Sequence, residues 1–118
     1  MRESDLADRH PVEYAAGTPP LDRGATERLI AAVPGWTLED GGKTLRLKRR
    51  FEGGFLEAVA FLDKVAPLAE EEDHHPDVRI YSYRWMDLDF STHSIGGLSE
   101  NDFIMAAKVN RLLAQSSP

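Results

Sequence analysis

Residues 70–102 read EEEDHHPDVRIYSYRWMDLDFSTHSIGGLSEND. The fold turns on this stretch because it holds a helix end, a proline, two strands, a glycine turn and a helix start. After Pro76, Val78 to Tyr83 and Met86 to Thr92 predict a hairpin. In its second arm Met86, Leu88 and Phe90 face one way, and Asp87, Asp89 and Ser91 the other. Ser94-Ile95-Gly96-Gly97 predicts a turn. Ser99-x-x-Asp102 reads as a capping box with Asp in place of Glu, and Leu98 and Phe103 are spaced as a hydrophobic staple across it. The helix opened there runs to about Ala114.

Upstream, Phe55, Ala58, Val59, Leu62, Val65, Ala66 and Ala69 recur at helical spacing, which predicts an amphipathic helix. Pro67 falls inside it and is expected to loosen its last turn. Trp36 to Glu39 and Lys43 to Phe51 predict a first hairpin around Asp40-Gly41-Gly42, with Leu45 and Leu47 inward and Thr44, Arg46 and Lys48 outward. A helix from Leu21, capped by Asp22, ends at Pro34-Gly35. Residues 1–20 contain Pro11, Gly17, Pro19 and Pro20 without an apolar period, and read as a weakly structured tail before a domain over 21–118. The expected fold is α+β: a four-stranded antiparallel sheet with three helices packed on one face, in the order helix, hairpin, helix, hairpin, helix.

The 118 residues suit one domain, and 42 % hydrophobic with 29 % charged residues suits a soluble one. No apolar run approaches the roughly 18 residues of a membrane span. Without cysteine, zinc–thiolate sites, disulfides and cysteine nucleophiles are excluded, and a cytoplasmic location is expected. A net charge of −6 argues against direct nucleic-acid binding.

Three of the four histidines, His74, His75 and His93, lie in the opening stretch. Pro76 disfavours helix at His75, so the pair sits in a loop at a helix end. If the hairpin forms, its two ends meet, and His93 approaches the pair. Three readings are open at this point. The imidazoles could hydrogen-bond loop backbone and do no chemistry. They could bind a metal, although adjacent histidines chelate one ion poorly. Or they could serve as general acid and base, which suits a group whose unperturbed pKa is roughly 6.5. Glu70 to Asp73 are either a solvated acidic run or the groups that hold those imidazoles.

Taken together, Glu70, His74-His75-Pro76, Tyr83, His93 and Asp102 resemble the active-site signature of the pterin-4a-carbinolamine dehydratase family, with supporting matches at Pro34-Gly35-Trp36 and Gly96-Gly97-Leu98. The resemblance covers residues 21–114. Val78 stands where some members carry tryptophan, and Asn101 where some carry arginine. The resemblance implies dehydration of a 4a-hydroxytetrahydropterin, with His74 and His93 as the acid–base pair and His75 chiefly binding substrate. Glu70 or Asp73 would orient an imidazole, and Asp102 would serve the site, the helix cap, or both. Pro76, Tyr83, Thr92 and the backbone of Ser94 and Ile95 would border the pterin. It implies no metal and no cofactor beyond the pterin substrate, a homodimer or homotetramer, and service to a pterin-dependent hydroxylase such as phenylalanine hydroxylase. The alternative is a dehydratase-like binding module, a transcriptional coactivator or an assembly factor.

Overall fold

Alternating strands and two long amphipathic helices build the domain around one sheet. The computed structural model describes residues 1–116. Its elements are α1 (Glu3–Ala7), α2 (Arg23–Ile30), β1 (Trp36–Glu39), β2 (Thr44–Arg50), α3 (Phe55–Glu72), β3 (Asp77–Tyr81), β4 (Trp85–Phe90) and α4 (Glu100–Ser116), with 3₁₀ turns at Asp40–Gly42 and His93–Ile95. The four strands form one antiparallel sheet in the order β1-β2-β4-β3. β1 and β3 are therefore its edges.

The two faces of the sheet differ as the alternation requires. Trp36, Leu45, Leu47, Met86, Leu88 and Phe90 are buried in the core. On the other face Arg46 donates two hydrogen bonds to Asp89, at 2.7 and 2.9 Å, and the Tyr81 hydroxyl donates to Asp87. Lys48 lies over the Tyr81 and Trp85 rings there.

Gly54 is the N-cap of α3, and its φ of 80° and ψ of −150° suit glycine alone. Ala58, Phe61, Val65 and Ala69 form its buried stripe. The helix continues through Pro67 to Glu72 instead of loosening. Pro67 and Asp63 are both exposed, so water can satisfy the Asp63 carbonyl that the proline leaves without a donor.

The described residues hold four helices rather than three. The extra one, α1, corrects the reading of residues 1–20 as weakly structured. Its Leu6 and Ala7 are 0 % and 2 % exposed, and it packs against α4. Lys108 Nζ donates to the Ala7 carbonyl at 2.9 Å, satisfying an acceptor at the helix end. Asn110 ties three segments together: it donates to Glu3 and to the Pro34 carbonyl, and accepts from Trp36 Nε1. One signal for α1 was present in the sequence. Phe103, Ile104, Met105, Ala106 and Ala107 are apolar in an unbroken run, too broad for one helix face. The sheet covers one side of α4, and α1 helps cover another. Among the described residues, no helix is long and apolar enough to cross a membrane.

Candidate active site

The histidine pair leaves the end of α3 through a left-handed turn. Asp73 has φ 51° and ψ 43°, and the His74 N–H donates to the Ala69 carbonyl at 3.2 Å. This is the helix stop usually made with glycine, and aspartate tolerates it better than most residues. The turn brings the His74 ring parallel to Phe90 on β4, with centroids 5.8 Å apart and planes 10° apart. The imidazole thus rests on the core face of the sheet, and its side chain is 13 % exposed.

Asp102 is the group to which His74 is tied. Its side chain is fully buried, and the two oxygens have different partners. Oδ1 lies 2.7 Å from His74 Nε2. Oδ2 accepts from the Ser99 backbone N–H at 2.9 Å and from the Thr92 hydroxyl at 2.8 Å. Asp102 therefore closes the capping box of α4 and also holds an imidazole. A carboxylate only accepts, so Nε2 of His74 carries a proton and Nδ1 is left for other work. Ser99 Oγ supports the arrangement, accepting from the Asn101 N–H at 3.2 Å and pairing with Thr92 Oγ1 at 2.7 Å.

The other two histidines are more open. His75 Nε2 pairs with Glu70, and both side chains are more than half exposed, so the pair orients the ring at little gain in stability. His93 begins the 3₁₀ turn after the bridge between Thr92 and Gly97, and its ring is exposed. All three histidines line one cavity of about 840 Å³. That is ample for a bicyclic heterocycle.

The remaining sequence-derived positions divide. Asp73, Pro76, Thr92 and Ser94 line the cavity. The Thr92 hydroxyl, however, is committed to Asp102 and Ser99 and serves the carboxylate instead of a ligand edge. Ile95 is absent from the cavity wall, and its N–H is taken by the Thr92 carbonyl. Tyr83 is also outside. It occupies the β3–β4 turn at the far end of the hairpin, with φ 51°, 60 % exposed and its ring against Arg84. Hairpin geometry explains this: His75 and Tyr83 flank opposite ends of β3, so one cavity cannot take both.

Sequence reasoning missed the wall formed by residues 11–15; Glu72 was read only as part of the acidic run 70–73, and Asn101 only as a departure from the family pattern. Segment 11–15 has no periodicity, because it is held by contacts from distant side chains. Tyr14, an isolated aromatic in a Pro- and Gly-rich stretch, was the available signal. Among the described residues, no group of three or more His, Asp or Glu side chains is placed to hold a metal ion.

Comparison with known proteins gives a consistent family assignment. A sequence model described as Pterin 4 alpha carbinolamine dehydratase matches residues 19–112. A Methylococcus capsulatus protein, provisionally named a pterin-4-alpha-carbinolamine dehydratase, is 47 % identical over 100 residues, covering 85 % of this chain and 86 % of the relative. A Nitrosomonas eutropha protein with the same provisional name is 42 % identical, covering 92 % of this chain and 94 % of its own. The crystal structure titled transcriptional coactivator/pterin dehydratase from Brucella melitensis superposes with a TM-score of 0.71 at 31 % identity. It covers 79 % of this chain and 97 % of that one.

Proposed function

The chain belongs to the pterin 4 alpha carbinolamine dehydratase family, and on that premise we propose that it eliminates water from a 4a-hydroxytetrahydropterin by histidine acid–base catalysis. The single observation that carries this reading is the meeting of His74, His75 and His93 around one cavity, with His74 anchored to the buried Asp102.

The elimination breaks the C4a–O bond and forms a C4a=N5 double bond. The hydroxyl leaves as water with a proton supplied by an acid, and the N5 proton passes to a base. One proton is donated and one is taken, and no redox equivalent is consumed. His74 suits the base role: Nδ1 takes the N5 proton, and Asp102 stabilises the imidazolium that forms. His93, without a side-chain partner among the described residues, supplies the proton to the departing hydroxyl. His75, positioned by Glu70, binds the heterocycle. The reaction recycles a pterin used by an aromatic amino acid hydroxylase, with the protein in the cytoplasm. Dimers or tetramers form by covering sheet edges such as β3, where Val78 is 40 % exposed.

A non-catalytic binding module is the second reading, favoured by the coactivator wording in the Brucella structure's title. Assay of dehydration with His74→Ala and His93→Ala separates the two. The enzyme reading expects each variant to lose about 10²- to 10⁴-fold in rate, whereas variants as fast as wild type would favour the module.

A further inference from the structure

The family match begins at residue 19, yet residues 11–15 form part of the wall of the histidine cavity. Their attachment is specific. The buried Asn101 side chain takes both backbone groups of Val12: Oδ1 accepts from the Val12 N–H at 3.0 Å, and Nδ2 donates to the Val12 carbonyl at 2.6 Å. This two-point pairing does the work of a neighbouring strand. On one side of it Arg9 pairs with Glu100, and His10 Nδ1 lies 2.6 Å from Glu72. On the other, the Thr18 hydroxyl donates to the Ala15 carbonyl, and the Leu21 N–H donates to the Leu98 carbonyl at 2.9 Å. Pro20 lies so close to Gly97 that a β-carbon there would meet it at 2.9 Å. The segment is therefore pinned to the start of α4 and the end of α3, the two helix ends that present Asp102 and His74.

Tyr14 sits between these attachments, half-buried on the cavity wall. Among the described residues its hydroxyl has no hydrogen-bond partner, whereas the neighbouring polar groups of Val12 are satisfied. The hydroxyl is not buried, so water holds it in the free protein, and a ligand in the cavity that Tyr14 lines can take this donor in water's place.

We propose that residues 9–15 are a strap completing the substrate site, in which Tyr14 donates its hydroxyl hydrogen bond to a carbonyl or ring-nitrogen acceptor of the bound heterocycle. This rests on the proposed function. Partial burial, with Glu100 and Asp102 adding to it, raises the Tyr14 pKa above its ordinary 10.0, so the phenol remains a donor throughout the neutral range. Because Tyr14 lies outside the acid–base pair, its contact strengthens substrate binding and leaves the chemical step nearly untouched.

The test uses the full chain with Tyr14→Phe, Tyr14→Ala and Asn101→Ala. It measures kcat and KM for dehydration, Kd for a stable reduced pterin (7,8-dihydrobiopterin), and thermal unfolding. Tyr14→Phe is expected to raise KM and Kd about three- to tenfold, the worth of one neutral hydrogen bond, with kcat within about twofold and an unchanged melting temperature. Asn101→Ala, which releases the strap, raises KM in the same direction. An active wild type whose Tyr14 variants keep its KM and Kd overturns the strap's role alone. A wild type that neither binds pterin nor dehydrates removes the proposed function and this inference with it.

Discussion

Asp102→Asn is the most informative single change, because the geometry dictates what the new amide must do. In the native site Oδ2 receives two donors, the Ser99 N–H and the Thr92 hydroxyl, and Oδ1 faces His74 Nε2. Asparagine has one acceptor oxygen and one NH₂. The backbone donor at Ser99 is fixed, so the oxygen stays there and the NH₂ turns to His74. Nε2 must then give up its proton and accept, which moves the ring proton to Nδ1. In the proposed mechanism that nitrogen is the base, and in this tautomer it has no lone pair to offer. The expected loss is the contribution of a general base, about 10²- to 10⁴-fold in kcat. The stability cost is smaller. A hydrogen bond to a charged group, about 1.5 to 3 kcal/mol, is replaced by a neutral one nearer 1 kcal/mol. The net cost of about 0.5 to 2 kcal/mol corresponds to roughly 2–8 °C in Tm for a chain of this size. The assay is single-turnover dehydration of a 4a-hydroxytetrahydropterin beside a thermal melt, with His74→Ala and the double variant for comparison. The two single losses should not multiply, since both remove the same base. A folded Asp102→Asn protein within about threefold of the wild-type rate would refute the reasoning.

Other consequences follow from named contacts. Ser99→Ala removes the N-cap of α4 and a partner of Thr92, and should cost about 1 kcal/mol by chemical denaturation. Phe90→Ala empties a fully buried position against Trp36 and His74, and should cost about 3 to 5 kcal/mol while slowing dehydration. Tyr14 should ionise above pH 10.0 because burial disfavours the phenolate, followed by the carboxylates of Glu100 and Asp102. The folded state holds this proton more tightly than the unfolded one. The residue's effect on stability is therefore absent at neutral pH, and stability falls as pH rises from 10.0 to the higher folded value. Absorbance titration near 295 nm should lose an ionisation step above pH 10.0 in Tyr14→Phe.

What was legible in the sequence was whatever is encoded locally. The β1–β2 hairpin follows from alternation around Asp40-Gly41-Gly42, and α3 from its apolar period. The capping box at Ser99 and Asp102 is formed, and the same aspartate reaches His74, which spacing alone left open. What was not legible depends on long-range satisfaction of polar groups. α1 has only Leu6 and Ala7 to bury, too few to make a period. The strap is set by Asn101, Glu72 and Glu100, which are remote in sequence. Tyr83 lies away from the histidine cavity, and matching a spacing ignores which end of a hairpin a residue occupies. Pro67 breaks no turn because its side of α3 is wet, a matter of orientation that a residue count cannot supply.

The measurement that tests the central claim most directly is the rate of 4a-hydroxytetrahydropterin dehydration with the purified full chain against buffer alone. Acceleration that is proportional to protein concentration, and abolished by His74→Ala in a chain that still folds, is predicted. A wild-type rate equal to that of buffer would contradict the account.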